Sequence, residues 1–337
     1  MTDDTWPGPA SGAPEPMPVV LDVDTGVDDA CALLLAARHP RLDLRAVTCV
    51  AGNTALDQVV RNTLTVLAAA GAGSVPVARG ADRPLLEEHR SAHHVHGTDG
   101  MGDLGWPAPA GAAVVPERAV ELLRDLLTTA GASGRRITLV TLAPLTNVAL
   151  LLRTYPETAA GIERLVFMGG SAGGGNATAA AEFNVWHDPE AAAIVLAACH
   201  ELGVPATMYG LDVFYEPRIT MAEAARLGTA PAGSAARLAG ELIAFQGRRV
   251  GSDLATIGDA GAVCAVIDPA GLTTRPMPVR VELSGSWTRG RTVVDTRADA
   301  IDRANDPHGP GLALVEVATA VDGERYRRLW LDTVAAP

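Results

Sequence analysis

From Pro18 onward, apolar runs of strand length alternate with longer segments whose apolar residues recur at helical spacing, and few folds accommodate that order. Residues Pro18–Asp24, Leu42–Val50, Ile137–Leu142, Leu165–Met168 and Ala206–Val213 are expected strands. Asp28–His39, Leu56–Ala70, Glu117–Ala130, Leu145–Leu152 and Pro189–His200 are expected helices, the first with Asp28 as N-cap and Pro40 as its stop. Later helices are expected near residues 220–227, 232–247, 260–267 and 323–335, with strands near 279–284 and 292–295. The pattern predicts an α/β fold with a mostly parallel central sheet flanked by helices. Ligands in such folds bind at the carboxyl ends of strands. The polar clusters fall there one after another: Asp24–Asp29, Asn53, the turn after Leu142, and the stretch from Met168 onward.

The first strand closes on LDVDTGVDDA, residues 21–30, which places Asp22, Asp24, Asp28 and Asp29 within eight positions. Asp22 and Asp24 are two apart, so on a strand they leave the same face. Asp28 and Asp29 fall in the first helical turn, where the dipole favours each negative charge by about 0.3–1 kcal/mol. That is too little to offset four crowded carboxylates, and no basic residue follows until Arg38. A hard cation with oxygen ligands, Ca²⁺ or Mg²⁺, is the simplest neutraliser. A plainer reading is a capping pair beside a strand-end turn. A third is a haloacid-dehalogenase-type phosphatase with Asp22 as nucleophile and Asp24 as acid/base. That chemistry normally uses a lysine, and this chain has none.

The missing lysine also excludes Walker-type phosphate loops and Schiff bases, and the run Gly169–Gly175 lacks a Lys-Ser/Thr ending. A net charge of -12 argues against nucleic-acid and anionic-membrane surfaces, and no apolar run approaches the ~20 residues of a membrane span. Cys31, Cys49, Cys199 and Cys264 are scattered without a C-x-x-C pair, as expected of core residues in a reducing, cytoplasmic setting. Residues 1–17, rich in Pro, Gly, Ala and acid, are expected to form a disordered tail, and residues 18–337 one domain.

The segment D-x-D-x-G-x-D-D-A resembles the opening motif of the nucleoside hydrolases, the inosine–uridine-preferring N-ribohydrolase family. The resemblance continues in order through Gly52-Asn53, Ala143-Pro144-Leu145-Thr146-Asn147, Met168-Gly169-Gly170, Gly175-Asn176, Ala181-Glu182-Phe183-Asn184, Asp188-Pro189-Glu190-Ala191 and Thr288–Asp295. It implies a Rossmann-like core and hydrolysis of ribonucleosides to free base and ribose. It further implies one Ca²⁺ held by Asp24, Asp29, the backbone carbonyl of Leu142 and Asp259, with Asp24 taking the proton of a water bound to that ion. Asp28, Asn53, Asn176, Glu182 and Asn184 are then expected on the ribose hydroxyls, with Met168 packed against the sugar. Carboxylates of Asp24, Asp28 and Glu182 would stabilise an oxocarbenium-like transition state. A small-molecule nucleoside is the expected partner, and a homodimer or homotetramer the expected assembly.

The chain departs from the family where the base leaves. Many members carry a histidine before the aspartate matching Asp259, and here that position is Gly258. A catalytically weak or silent binder of a nucleoside or ribosylated metabolite is therefore the alternative. His96, in the run His93-His94-Val95-His96 of a glycine-rich loop, is the candidate for contacting the base. Trp186, Phe245 and Tyr215 are candidates for stacking on it.

Overall fold

The computed structural model describes residues 15–109, 114–297, 306 and 313–336. Eleven strands are formed among these: β1 (Met17–Val23), β2 (Leu42–Cys49), β3 (Val77–Arg79), β4 (Ile137–Thr141), β5 (Ile162–Met168), β6 (Ala206–Tyr209), β7 (Arg218–Thr220), β8 (Leu254–Thr256), β9 (Leu272–Val281), β10 (Thr292–Val294) and β11 (Leu314–Val321). The helices of the first half are α1 (Val27–Arg38), α2 (Leu56–Ala69), α3 (His93–His96), α4 (Ala119–Ser133), α5 (Thr146–Thr154) and α6 (Phe183–His187). Those of the second half are α7 (Pro189–Leu202), α8 (Leu211–Phe214), α9 (Met221–Gly228), α10 (Ala235–Val250), α11 (Ala260–Ile267) and α12 (Gly323–Ala335).

Nine strands make one sheet in the order β10-β9-β11-β6-β5-β4-β1-β2-β3, and β7 pairs with β8 as a separate antiparallel ribbon. The run from β3 to β11 is parallel; β9 and β10 close one edge antiparallel. From β1 the chain first builds outward through β2 and β3, then returns to lay β4 on the other side of β1. Adjacent crossovers therefore diverge at the carboxyl ends of β1 and β4, and the gap between them is where an α/β sheet offers a crevice.

Alternation along β1 divides the interior. Val19, Leu21 and Val23 pack on the side of α1, α10 and α11, while Val20 packs on the side of α4, α5 and α7. All four are fully buried, worth roughly 1.5–3 kcal/mol per side chain in transfer from water. A strand covered on both faces has no polar face to offer, and its carboxylates are left to the end.

Several boundaries differ from the sequence expectation. Met17 belongs to β1, and the rest of the expected tail up to residue 14 lies outside the described residues. The N-cap of α1 is Gly26, not Asp28: the Asp29 carboxylate reaches back to the Gly26 N–H at 3.0 Å, leaving Asp28 free to point elsewhere. The expected strand Ala206–Val213 stops at Tyr209. Its neighbour β5 ends opposite at Met168, so the chain has no ladder to follow and turns into α8. β9 begins at Leu272 rather than 279, its start disguised by Thr273, Thr274, Arg275 and Pro276. β11 had no counterpart in the expectation, because only Val315, Val317 and Ala318 of its eight residues turn fully inward.

Candidate active site

At the end of β1 the four carboxylates part company. Asp22 shares the face of Val20 and is wholly buried, its Oδ1 accepting from Thr48 Oγ1 at 2.6 Å and Asn147 Nδ2 at 2.8 Å. It does not line the cavity, so the expected pairing of Asp22 with Asp24 fails, and with it the phosphatase reading that needs Asp22 as nucleophile. The strand ends at Val23, one residue before Asp24, and the backbone turn carries Asp24 beneath the cavity floor, against Asn53.

There Asp24 Oδ2 accepts the Asn53 N–H at 2.7 Å, while its Oδ1 is buried without a hydrogen-bond partner. Asp29 is the hub of the loop: Oδ1 accepts the Asp24 N–H at 3.2 Å, and Oδ2 accepts the Gly26 N–H and the Asn53 Nδ2 at 3.2 Å. Single carboxylate oxygens of Asp28, Asp29 and Asp259 come within 4.8 Å of one another. Asp259 comes from the turn before α11 and closes the cluster from across the crevice. Asp28 thus stands among the grouped carboxylates, nearer to that role than the sequence expectation placed it.

Three observations fit a divalent cation here. Asp24 Oδ1 and Asp28 Oδ1 are buried polar atoms with no partner among the described residues, although such atoms are rarely left so. Among the described residues, no arginine makes an ion pair with Asp24, Asp29 or Asp259. The donor set is all carboxylate oxygen, the chemistry that hard cations select. Crowding and burial favour the protonated forms of these groups. Burial first, then Asp28, raises Asp29 to about 7; burial first, then neighbouring aspartates, pushes Asp24 and Asp259 well above the carboxylate range.

The opposite wall is built from β4, β5 and α6. Glu182 caps α6, its Oε1 accepting the Asn184 N–H at 2.8 Å and its Oε2 those of Gly170 and Val185 at 2.9 and 3.1 Å. Burial raises its pKa to about 7 despite these bonds. Asn184 Nδ2 donates to the Leu142 carbonyl at 2.9 Å and the Met168 carbonyl at 3.1 Å, tying the ends of β4 and β5 together. Asn176 Oδ1 accepts the Phe183 N–H at 2.9 Å. Glu182, Asn184, Met168, Asn176, Leu142, Asn53, Asp28, His96 and Asp259 all line one cavity of about 570 Å³, so the expected site residues converge. Asp24 and Asp29 lie just beneath its floor, bonded to Asn53.

His96 ends the short helix α3 and is buried. Its Nδ1 accepts the Val27 N–H at 3.2 Å, which places the ring proton on Nε2. The 3.6 Å approach of the same Nδ1 to Asp28 Oδ1 is therefore no ion pair, and burial lowers the imidazole's pKa in keeping with a neutral ring. The stacking candidates divide: Trp186 and Tyr215 line the cavity, whereas Phe245 lies against Gly102 and does not. Phe214, Arg218, Gln246 and Arg249 also line it, and nothing in their local sequence distinguishes them from surface residues.

An α/β sheet with its carboxylates gathered at the switch point, facing a wall of Asn and Glu, defines a hydrolase-type site for a polyhydroxylated ligand. The chain belongs to the inosine-uridine preferring nucleoside hydrolase family, whose model matches residues 19–328. It is 36% identical over 326 residues to the inosine-uridine preferring nucleoside hydrolase of Crithidia fasciculata, covering 95% of this chain and 98% of that one. It is 39% identical over 285 residues to the pyrimidine-specific ribonucleoside hydrolase RihA of Shewanella sp. (strain MR-7), covering 82% and 86%. The solved plant nucleoside hydrolase PpNRh1 superposes with a TM-score of 0.84 at 28% identity, covering 96% of this chain and 100% of that one.

Proposed function

We propose that this chain hydrolyses the N-glycosidic bond of ribonucleosides to free base and ribose, as a Ca²⁺-dependent enzyme with Asp24 as general base. The observation that carries the reading is the pair of orphaned oxygens, Asp28 Oδ1 at the cavity floor and Asp24 Oδ1 just beneath it. Asp24, Asp29, Asp259 and the Leu142 carbonyl would hold the cation. When bound, it neutralises the carboxylates and acidifies water. Asp24 is oriented by the Asn53 N–H on Oδ2, which leaves Oδ1 to accept the proton of the attacking water. The water oxygen joins C1′, the C1′–N electron pair leaves with the base, and Asp28 and Glu182 face the positive charge on the ribosyl ring. Asn53, Asn176 and Asn184 present amides to the ribose hydroxyls, and Met168 packs against the sugar. His96, holding its proton on Nε2, would offer that N–H as a hydrogen bond to the departing base, which takes its proton from solvent. A single domain from residue 18, a homodimer or homotetramer, and a cytoplasmic setting complete the proposal; the four free, buried cysteines support the last.

Gly258 favours a second reading, binding without turnover. Release of reducing sugar from a panel of purine and pyrimidine nucleosides separates the two. Release that disappears with EDTA and in Asp24→Ala supports the hydrolase. Tight binding of a nucleoside by calorimetry, with no sugar released from any, supports the binder.

A further inference from the structure

The cavity is polarised. Its floor carries Asp28, Asp259 and Glu182, and its mouth carries Arg218 and Arg249. Arg218 opens β7 and pairs in register with Thr256 of β8, two residues before Gly258. Arg249 stands in the last turn of α10 and donates to the carbonyl of His94 in α3, two residues before His96. Each guanidinium is anchored by one backbone carbonyl, Tyr215 O for Arg218 at 2.6 Å and His94 O for Arg249. Neither guanidinium has a carboxylate partner among the described residues, and both line the one cavity. Two anchored cations that keep most of their donors free, on a protein of net charge -12, form a place for an anion.

We infer that Arg218 and Arg249 are specificity-determining residues that select nucleosides whose base bears negative charge. The inference rests on the hydrolase reading, which sets the ribose against the acidic floor and so turns the base toward His96 and the mouth. A 5′-phosphate is the less favoured anion, because the wall of Asn176, Glu182 and Asn184 supplies a carboxylate and no cation. Bond making and breaking are those of the parent reaction; the arginines alter only which base is held.

The test compares kcat/KM for xanthosine, at mildly alkaline pH where its base is ionised, with that for inosine, whose base is then largely neutral. Native protein, Arg218→Gln, Arg249→Gln, their combination and Arg249→Lys are measured. Preference for xanthosine in the native protein, falling about 10-fold (~1.4 kcal/mol) in the double variant with inosine little changed, and restored by lysine at 249, supports the inference. Equal loss on both substrates assigns the arginines a structural role and overturns it. Faster cleavage of inosine 5′-monophosphate than of either nucleoside places the anion at the other end and also overturns it. Inosine turnover with no xanthosine preference refutes the inference and leaves the hydrolase reading standing; no turnover of any nucleoside removes both.

Discussion

Replacing Gly258 with the histidine expected from the family resemblance restores an imidazole before Asp259, and the structure predicts that it harms the protein. Gly258 has φ +55°, in the left-handed region that costs a residue with a Cβ about 1–2 kcal/mol. A Cβ there would lie 2.6 Å from the Asp28 Cβ and 3.0 Å from the Phe214 Cζ. Relief requires Asp28 or the backbone to move, and overpacking of this kind costs about 1–3 kcal/mol more. The sum is roughly 2–5 kcal/mol. With about 2.1 cal/mol/K of unfolding entropy per residue over 337 residues, that lowers Tm by about 3–7 °C. Because the displaced group is Asp28, turnover should fall along with stability. Gly258→Ala separates the causes: it carries the same Cβ without an imidazole and should show most of the loss. Thermal unfolding and sugar release from inosine, measured on native protein and both variants, decide the matter. A Gly258→His variant with unchanged Tm and faster turnover would refute the steric reasoning and show that the backbone accommodates an acid at this position.

Asp24→Asn keeps the acceptor for the Asn53 N–H and removes the base, so sugar release should fall by about 10²–10⁴; activity within tenfold of native would reassign the base. Treatment with EDTA should lower Tm, and Ca²⁺ at about 100 times its Kd should restore ~2.7 kcal/mol, near 4 °C for this chain; the shift should vanish in Asp29→Asn, and a shift that survives there would place the ion elsewhere. His96→Ala should lower kcat/KM by at least tenfold through loss of the Nε2 donor, and full turnover on every substrate would remove His96 from the mechanism. His187 is buried with neither ring nitrogen hydrogen-bonded, and burial lowers its pKa from 6.5 to about 3. The unfolded chain therefore binds the extra proton between those values, so the stabilisation is whole above about 6.5 and declines by about 1.4 kcal/mol per pH unit as pH falls toward 3. His187→Phe should flatten that slope in urea-unfolding measurements, and an identical slope would show His187 to be wet.

Side-chain chemistry at strand ends was legible in the sequence because it is local. The alternation of β1 put Val19, Leu21 and Val23 on one face and Val20 on the other, and Asn176, Glu182 and Asn184 line the same cavity as Met168 and Leu142, with Asn184 bonded to the carbonyls of both. Asp22 shows where local reasoning stops. Period two predicts that it shares a face with Asp24, yet the strand ends between them, and Asn147 from α5 claims Asp22 for the interior. Whether a carboxylate belongs to a site or to a core network depends on a partner 125 residues away, which no spacing rule carries. The mouth of the cavity was illegible for the same reason. Arg218 and Arg249 sit on separate elements, and only the β7–β8 ribbon and the end of α10 bring them over the same opening.

Gly258 joins the two cases. As a letter it reads as an acid lost, and a chain that loses its leaving-group acid should be a poor enzyme. As a position it is a left-handed turn wedged between Asp28 and Phe214, a place where any Cβ forces its neighbours to shift. A Cβ there would press on Phe214, which lines the cavity beside Tyr215, and the buried imidazole in the cavity is His96, kept neutral by burial with its Nδ1 accepting the Val27 N–H. Gly26 is what permits that bond, since a Cβ there would come within 2.8 Å of the His96 Nδ1. The two glycines therefore act in opposite senses on one cavity: Gly26 admits an imidazole from α3, and Gly258 marks where one from the loop before α11 no longer fits.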